Sequence, residues 1–229
     1  MAAPATFRHP SADVYLEPVL IREAIRDDVR SMPVWKRAID VAGAGFGLLL
    51  LAPFFAVVAL IVAIESPGGP FFRQVRVGKG GKTFTCWKFR TMHRDAERMK
   101  AELLSMNEAS GHIFKMKNDP RRTRVGIFLR KTSIDELPQL WNVFRGEMSL
   151  VGPRPPIPAE VAAYTPAQLR RLSVEPGITG LWQVTLRGRH DFADMVALDV
   201  EYARHRSLWL DLRIFALTVV AVARGEGSC

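Results

Sequence analysis

Between Asp40 and Glu65 the chain runs from Val41 to Ile64 without a charge, in the sequence VAGAGFGLLLLAPFFAVVALIVAI. Wound as a helix, this run reaches about 36 Å, enough for a bilayer hydrocarbon core of about 30 Å. It is too long for the apolar part of a cleavable signal peptide, and residues 1–34 place scattered acids and bases ahead of it. Two features argue against a simple span. Pro53 stands near the middle, where it removes a backbone hydrogen bond and crowds the preceding turn. Basic residues flank both ends: Arg30, Lys36 and Arg37 before the run, and Arg73, Arg76, Lys79 and Lys82 after it. A spanning helix concentrates Lys and Arg on its cytoplasmic side, whereas a re-entrant helix returns both ends to that side. The residues alone leave a Pro-kinked span and a re-entrant hairpin open.

This run also explains an oddity of composition. The 229 residues carry a net charge of +9, and apolar residues make up 48% against 24% charged. That balance suits an ordered, core-forming chain of one domain with appendages and excludes a disordered tail. A basic soluble enzyme normally has a negative mean hydropathy, yet the value here is +0.04. Cys86 and Cys229 lie far apart with no Cys/His cluster, which excludes a disulfide framework and a structural zinc site and suits a reducing compartment.

A second apolar stretch, Leu208 to Ala223, repeats Leu208, Leu212, Phe215, Val219 and Val222 at helical spacing. Its uncharged part is too short to span, so it reads as a core helix or one lying at the membrane interface, with core the simpler choice. Residues from about Leu16 to Arg30 read as a surface helix. Between Arg73 and Arg130 there are 15 Lys and Arg against 5 Asp and Glu, so this segment holds the whole excess of positive charge. A solvated face beside anionic lipid, a nucleic-acid surface and a site for a polyanion such as a nucleotide diphosphate all fit that excess. No helix-turn-helix, RNP or zinc-finger pattern accompanies it.

Phe71 to Gly78 and Thr83 to Phe89, alternating around Gly80-Gly81, predict a β-hairpin. Gly78 to Thr83 looks like the end of a P-loop, but Arg76 stands where the first glycine is needed and no helix pattern follows. Asp95 to Met106 predicts an amphipathic helix, and Asn118-Asp119-Pro120-Arg121 a turn. In Ser133-Ile134-Asp135-Glu136, Ser133 reads as an N-cap with Glu136 bonding back to it, although Pro138 favours a start nearer Asp135. Either way both carboxylates sit at a helix start preceded by Arg130 and Lys131, a setting able to host a metal and a phosphate. Taken alone, an Asp-Glu pair reads only as a solvated helix start.

From about Trp35 onward the chain resembles the bacterial sugar transferase family, the monotopic polyprenyl-phosphate phosphoglycosyl transferases. Four segments carry the resemblance: Lys88-Phe89-Arg90-Thr91-Met92, the run Lys115 to Gly126, Arg130 to Pro155, and Pro176 to Val184. Leu198-Asp199 through Asp211-Leu212 resembles the hexose-1-phosphate transferring branch. The resemblance implies an α+β fold with a re-entrant N-terminal membrane helix hinged at Pro53, a β-hairpin and several interfacial helices. It divides the chain into a tail (1–34), the membrane helix and connector (35–72) and a cytoplasmic catalytic domain (73–229).

The implied activity is transfer of a sugar-1-phosphate from a UDP-sugar to polyprenyl phosphate with release of UMP, initiating surface-glycan assembly at the cytoplasmic face of the bacterial inner membrane. By resemblance Asp135 is the nucleophile and a ligand of Mg²⁺, and Glu136 the acid/base partner. Arg130, Lys88 and Arg90 are phosphate-binding candidates, and Arg154 helps seat the nucleotide. The expected partners are the UDP-sugar, polyprenyl phosphate and the membrane, with no nucleic acid; a homodimer is compatible. Which sugar is transferred is not readable, though the C-terminal segment leans toward glucose or galactose. A non-catalytic membrane-tethered scaffold with the same fold is the rival reading, and retention of both carboxylates argues against it. Ala52 stands where relatives often place Ser before the proline, and Thr185-Leu186 interrupts their usual pattern, leaving open whether Arg187 or Arg189 belongs to the site.

Overall fold

The computed structural model describes residues 18–66, 68–103, 116, 119–186 and 191–224. Helix α1 (Pro18–Ala24) is followed by the long helix α2 (Val34–Glu65), then strands β1 (Phe71–Val77) and β2 (Thr83–Phe89). Helices α3 (Ala96–Leu103) and α4 (Arg124–Lys131) lead to a 3-10 segment at Ile134–Gln139, helix α5 (Leu140–Arg145) and strand β3 (Ser149–Val151). The rest comprises α6 (Pro158–Val161), α7 (Pro166–Leu169), β4 (Gly177–Thr179), α8 (Leu181–Thr185), α9 (Phe192–His205) and α10 (Leu208–Ala223). Two small sheets punctuate this helical chain: the antiparallel hairpin β1–β2 and the parallel pair β3–β4. The mixed α and β architecture and the hairpin agree with the sequence expectation.

Helix α2 has 32 residues, about 48 Å of rise, and Pro53 lies inside it without ending it. One stripe faces the rest of the protein. Ala44, Leu48, Leu51 and Phe55 pack with Leu140, Val143 and Met148; Phe55, Val58 and Val62 pack with Phe89 and Leu129. This spacing of three and four residues is a helix face. The polar ends continue the attachment. Lys36 Nζ donates to Asp211 Oδ2 at 2.5 Å and to the Val151 carbonyl at 3.0 Å, while Asp40 Oδ1 accepts from Ser149 Oγ and the Leu150 N–H. At the far end Glu65 accepts from the Val125 N–H, 3.0 Å away. The opposite face is bare: Leu49 is 79% exposed, Ile64 77% and Phe46 68%. A helix this apolar and this exposed is suited to lipid.

Within the stretch from about Leu16 to Arg30 that reads as a surface helix, the structure has the short helix α1, and its inward side is covered: Ile21 and Ile25, one helical turn apart, are buried with Val77, Tyr164, Leu169 and Leu172. The segment thereby straps the hairpin turn to the α7 region. The C-terminal helix has the expected bounds, but it is not a core helix. Only Asp211, Ile214 and Ala221 are buried on it, while Trp209, Leu212, Phe215, Val219 and Val220 are exposed. Its apolar residues run round the helix, and the protein covers one side only, which leaves the interfacial alternative.

Candidate active site

The hairpin register sets the first wall of the site. Phe72 pairs with Lys88, Gln74 with Cys86 and Arg76 with Phe84, so Arg76, Cys86 and Lys88 share one face. The free edge of β2 is held by Asn142 of α5, which is fully buried. Its Oδ1 accepts from the Trp87 N–H at 3.1 Å and its Nδ2 donates to the Thr85 carbonyl at 2.7 Å, replacing a third strand.

The carboxylates come from the 3-10 segment packed against β2. Pro138 explains its tight winding, because an α-helix starting here would bring the proline ring against the Ile134 carbonyl. The expected cap is absent. Ser133 makes no side-chain cap bond and stands in the left-handed region (φ 57°), alone among described non-glycine residues. It turns the chain sharply out of α4, bringing Arg130 at that helix's end to Asp135 at the segment's first turn. The cost is backbone strain of about 1–2 kcal/mol. Gly126 seats α4 itself: a Cβ there would lie 2.1 Å from the Thr91 carbonyl oxygen, just beyond β2.

Asp135 is 8% exposed, and among the described residues no side chain hydrogen-bonds to or pairs with its carboxylate. Burial, then the charge of Glu136, push it up to about 6, against the pull of Lys88 and Arg130. Glu136 behaves oppositely. Burial raises it, but Lys88 Nζ, 2.5 Å from its Oε1, followed by Arg154 and Arg76, outweigh burial and hold the carboxyl below its ordinary value. One carboxylate is thus buried and uncommitted, and its neighbour is clasped. Arg154 presents its guanidinium from the loop after β3 with only a 3.8 Å approach to Glu160.

Of the expected residues, the structure brings together Asp135, Glu136, Lys88, Arg130 and Arg154. Arg90 is occupied elsewhere: it donates to the carbonyls of Gly69 (2.9 Å), Gly68 (2.9 Å) and Phe71 (3.3 Å), fastening the connector after α2. These contacts place its guanidinium at the connector, apart from the cluster around Asp135. Arg187 and Arg189 lie outside the described residues. Sequence reasoning missed Arg76, which is 8% exposed and is pushed down to about 10 by burial and by Arg154, so it stays charged at neutral pH. The period-two pattern of the hairpin was the signal that could have placed it beside Lys88.

Among the described residues no group of three or more acidic, His or Cys side chains could cage a metal. Mg²⁺ does not need one, since it takes one or two carboxylates and completes its shell with water and substrate phosphates. A buried carboxylate with no side-chain partner is a fitting donor. Chemically, the arrangement offers an oxygen nucleophile amid cations able to hold a diphosphate.

Known proteins resemble this chain over most of its length. A family model described as bacterial sugar transferase matches residues 31–225. The galactosyl transferase CpsE of Streptococcus agalactiae serotype III (strain NEM316) is 48% identical over 195 residues, which cover 84% of this chain and 43% of that protein. The exopolysaccharide production protein ExoY of Rhizobium meliloti (strain 1021) is 41% identical over 84% of this chain and 87% of its own length. The UDP-glucose:undecaprenyl-phosphate glucose-1-phosphate transferase of Caulobacter vibrioides (strain ATCC 19089 / CIP 103742 / CB 15) is 42% identical, covering 84% and 71% respectively. The chain therefore spans less than half of the streptococcal protein and most of the other two.

Proposed function

Because this chain belongs to the bacterial sugar transferase family, we propose that it transfers a sugar-1-phosphate from a UDP-sugar to undecaprenyl phosphate, releasing UMP and forming undecaprenyl-diphosphate-sugar. The observation that carries the reading is Asp135: a buried carboxylate without a side-chain partner, beside Glu136 and faced by Lys88 and Arg130. The names of the Caulobacter and streptococcal relatives support glucose or galactose as the sugar.

In the first step an Asp135 oxygen attacks the phosphorus that bears the sugar. The new oxygen–phosphorus bond replaces the bond to the bridging oxygen, which leaves with UMP. In the second step an oxygen of undecaprenyl phosphate attacks the same phosphorus and the Asp135 carboxylate departs. Splitting the transfer in two lets a soluble donor and a lipid acceptor use one site in turn. Arg130 and Arg154 orient phosphate oxygens and offset their charge. Lys88, drawn to an incoming phosphate, releases Glu136 and restores its basicity, so that Glu136 can take a proton from the acceptor. Asp135 would hold Mg²⁺, which when bound would supply neutralisation of the diphosphate charge.

Helix α2 favours a re-entrant placement. Its two ends are fastened to the same polar domain, Lys36 and Asp40 at one end and Glu65 at the other. A helix crossing the bilayer would carry one of these attachments to the far side. We therefore place the domain on the cytoplasmic face of the inner membrane, where UDP-sugars are met, with Pro53 the weak point in the helix.

Incubating the purified full chain with undecaprenyl phosphate, Mg²⁺ and a panel of UDP-sugars tests the function. UMP release dependent on UDP-glucose or UDP-galactose is expected. No release from any UDP-sugar in the presence of acceptor would overturn it.

A further inference from the structure

Three of the five residues in the loop 152–156 are prolines, at 153, 155 and 156, and prolines have no N–H. At those positions the backbone can be fastened only through its carbonyls, and four consecutive carbonyls are engaged. Pro153 accepts from the Gly177 N–H at 2.9 Å, Arg154 from Arg171 Nη2 at 3.2 Å, Pro155 from Arg76 Nη1 at 2.7 Å and Pro156 from the Val77 N–H at 2.9 Å. Two of the four donors are backbone N–H groups, and two are buried arginines. Arg171 belongs to a closed network with Asp199 and the Tyr164 hydroxyl. Arg76 is different, because its strand is part of the hairpin that also presents Lys88 on the same face. Its second nitrogen, Nη2, is tethered 2.5 Å from Gln74 Oε1, on that same face.

The side chain so suspended is Arg154. Its backbone is pinned on both sides while its guanidinium has only the distant Glu160. A fixed base with an uncommitted head is the form a preorganised anion-binding arginine takes, since little reorganisation is needed when the phosphate arrives.

We propose that Arg76 is a positioning residue: through the Pro155 carbonyl it fixes the loop that presents Arg154, locking Arg154 to the strand pair that carries Lys88. This rests on the reading of Arg154 as a phosphate-seating residue of the transferase site. Beside the pull of its charge on Glu136, which Arg76→Lys retains, Arg76 acts through that loop.

The test is a double-mutant cycle on the full chain, with the UDP-sugar that turns over and undecaprenyl phosphate as substrates. Arg76→Met is expected to lower kcat/KM by about 10- to 100-fold, chiefly through KM for the UDP-sugar, the scale of a misplaced binding group. Arg154→Ala gives a loss of the same kind. In the double variant, removing Arg76 should cost less than about 3-fold beyond Arg154→Ala, because there is no longer a side chain to position. Arg76→Lys, which keeps one donor for Pro155, should recover part of the loss. If Arg76→Met does not fold, Gln74→Ala, which frees only Nη2, enters the same cycle with an expected loss of about 3- to 10-fold. An Arg76 cost undiminished without Arg154, or no recovery in Arg76→Lys, overturns the inference and leaves the transferase reading intact. Full activity in Arg154→Ala removes Arg154 from the site and the inference with it. A wild-type chain without turnover sinks both.

Discussion

Replacing Asp135 by Asn should make the protein inactive and more stable at once. The Asp135 carboxyl rises from 3.8 in the unfolded chain to about 6 in the folded one, because the protein buries it and Glu136 repels its charge. A carboxyl with a raised folded value contributes stability that is complete below about pH 4 and is lost as the pH climbs through about 6. At pH 7 the buried charge therefore costs about 3 kcal/mol, at 1.36 kcal/mol for each pH unit. Asparagine has nearly the same shape and no charge, so Asp135→Asn should recover most of that amount. For a chain of this length, that is a rise in melting temperature of about 6–12 °C. The assay is thermal unfolding of both proteins in the same detergent with EDTA, at pH 7 and at pH 4. The rise should be present at pH 7 and should nearly vanish at pH 4, where aspartic acid is itself neutral. A variant that melts at or below the wild type at pH 7, or an offset equal at both pH values, would refute the account of a strained nucleophile. Active sites commonly hold such destabilised groups.

Asn142→Ala leaves the Trp87 N–H and the Thr85 carbonyl without their partner on the edge of β2; the expected loss is about 2–4 kcal/mol in thermal unfolding, with lower kcat/KM as Lys88 shifts. Lys36→Met strands the Asp211 carboxylate in a site where the lysine was 3% exposed, costing about 3–5 kcal/mol. Adding Asp211→Asn, which still accepts from the Tyr202 hydroxyl, should restore most of that stability.

Local patterns in the chain declared much of this structure, and distant partners did not. The hairpin strands emerged where alternation around Gly80-Gly81 placed them, and α10 has the bounds its helical spacing indicated. The Asp135-Glu136 pair was visible because its motif is dense. The inward face of α2 was not, since a run with no charge gives no contrast between a side that packs on protein and a side that meets lipid. Only Lys36 and Asp40, spaced in register with Ala44, marked that face. The reading of α10 as core failed for the same reason: apolar residues all round a helix do not say which side is covered. Ser133 looked like an N-cap, but its role is to bend the chain in a left-handed conformation, and Pro138 tightens Ile134–Gln139 into a 3-10 segment. Arg90 looked like Lys88 two residues earlier, but it lies just past the end of β2, and its guanidinium turns back to the carbonyls of Gly68, Gly69 and Phe71. Arg76 reaches the Pro155 carbonyl, next to Arg154, across 79 positions of sequence, a contact that no local pattern encodes.

The central claim is that Asp135 carries the sugar-phosphate between the two substrates. Its most direct test is the intact mass of the full chain after incubation with Mg²⁺ and the active UDP-sugar, without undecaprenyl phosphate. The account predicts a covalent gain of one sugar-phosphate, mapped to the peptide containing Asp135, accompanied by stoichiometric UMP and discharged when undecaprenyl phosphate is added. UMP formed only in the presence of acceptor, with the chain's mass unchanged throughout, would contradict it.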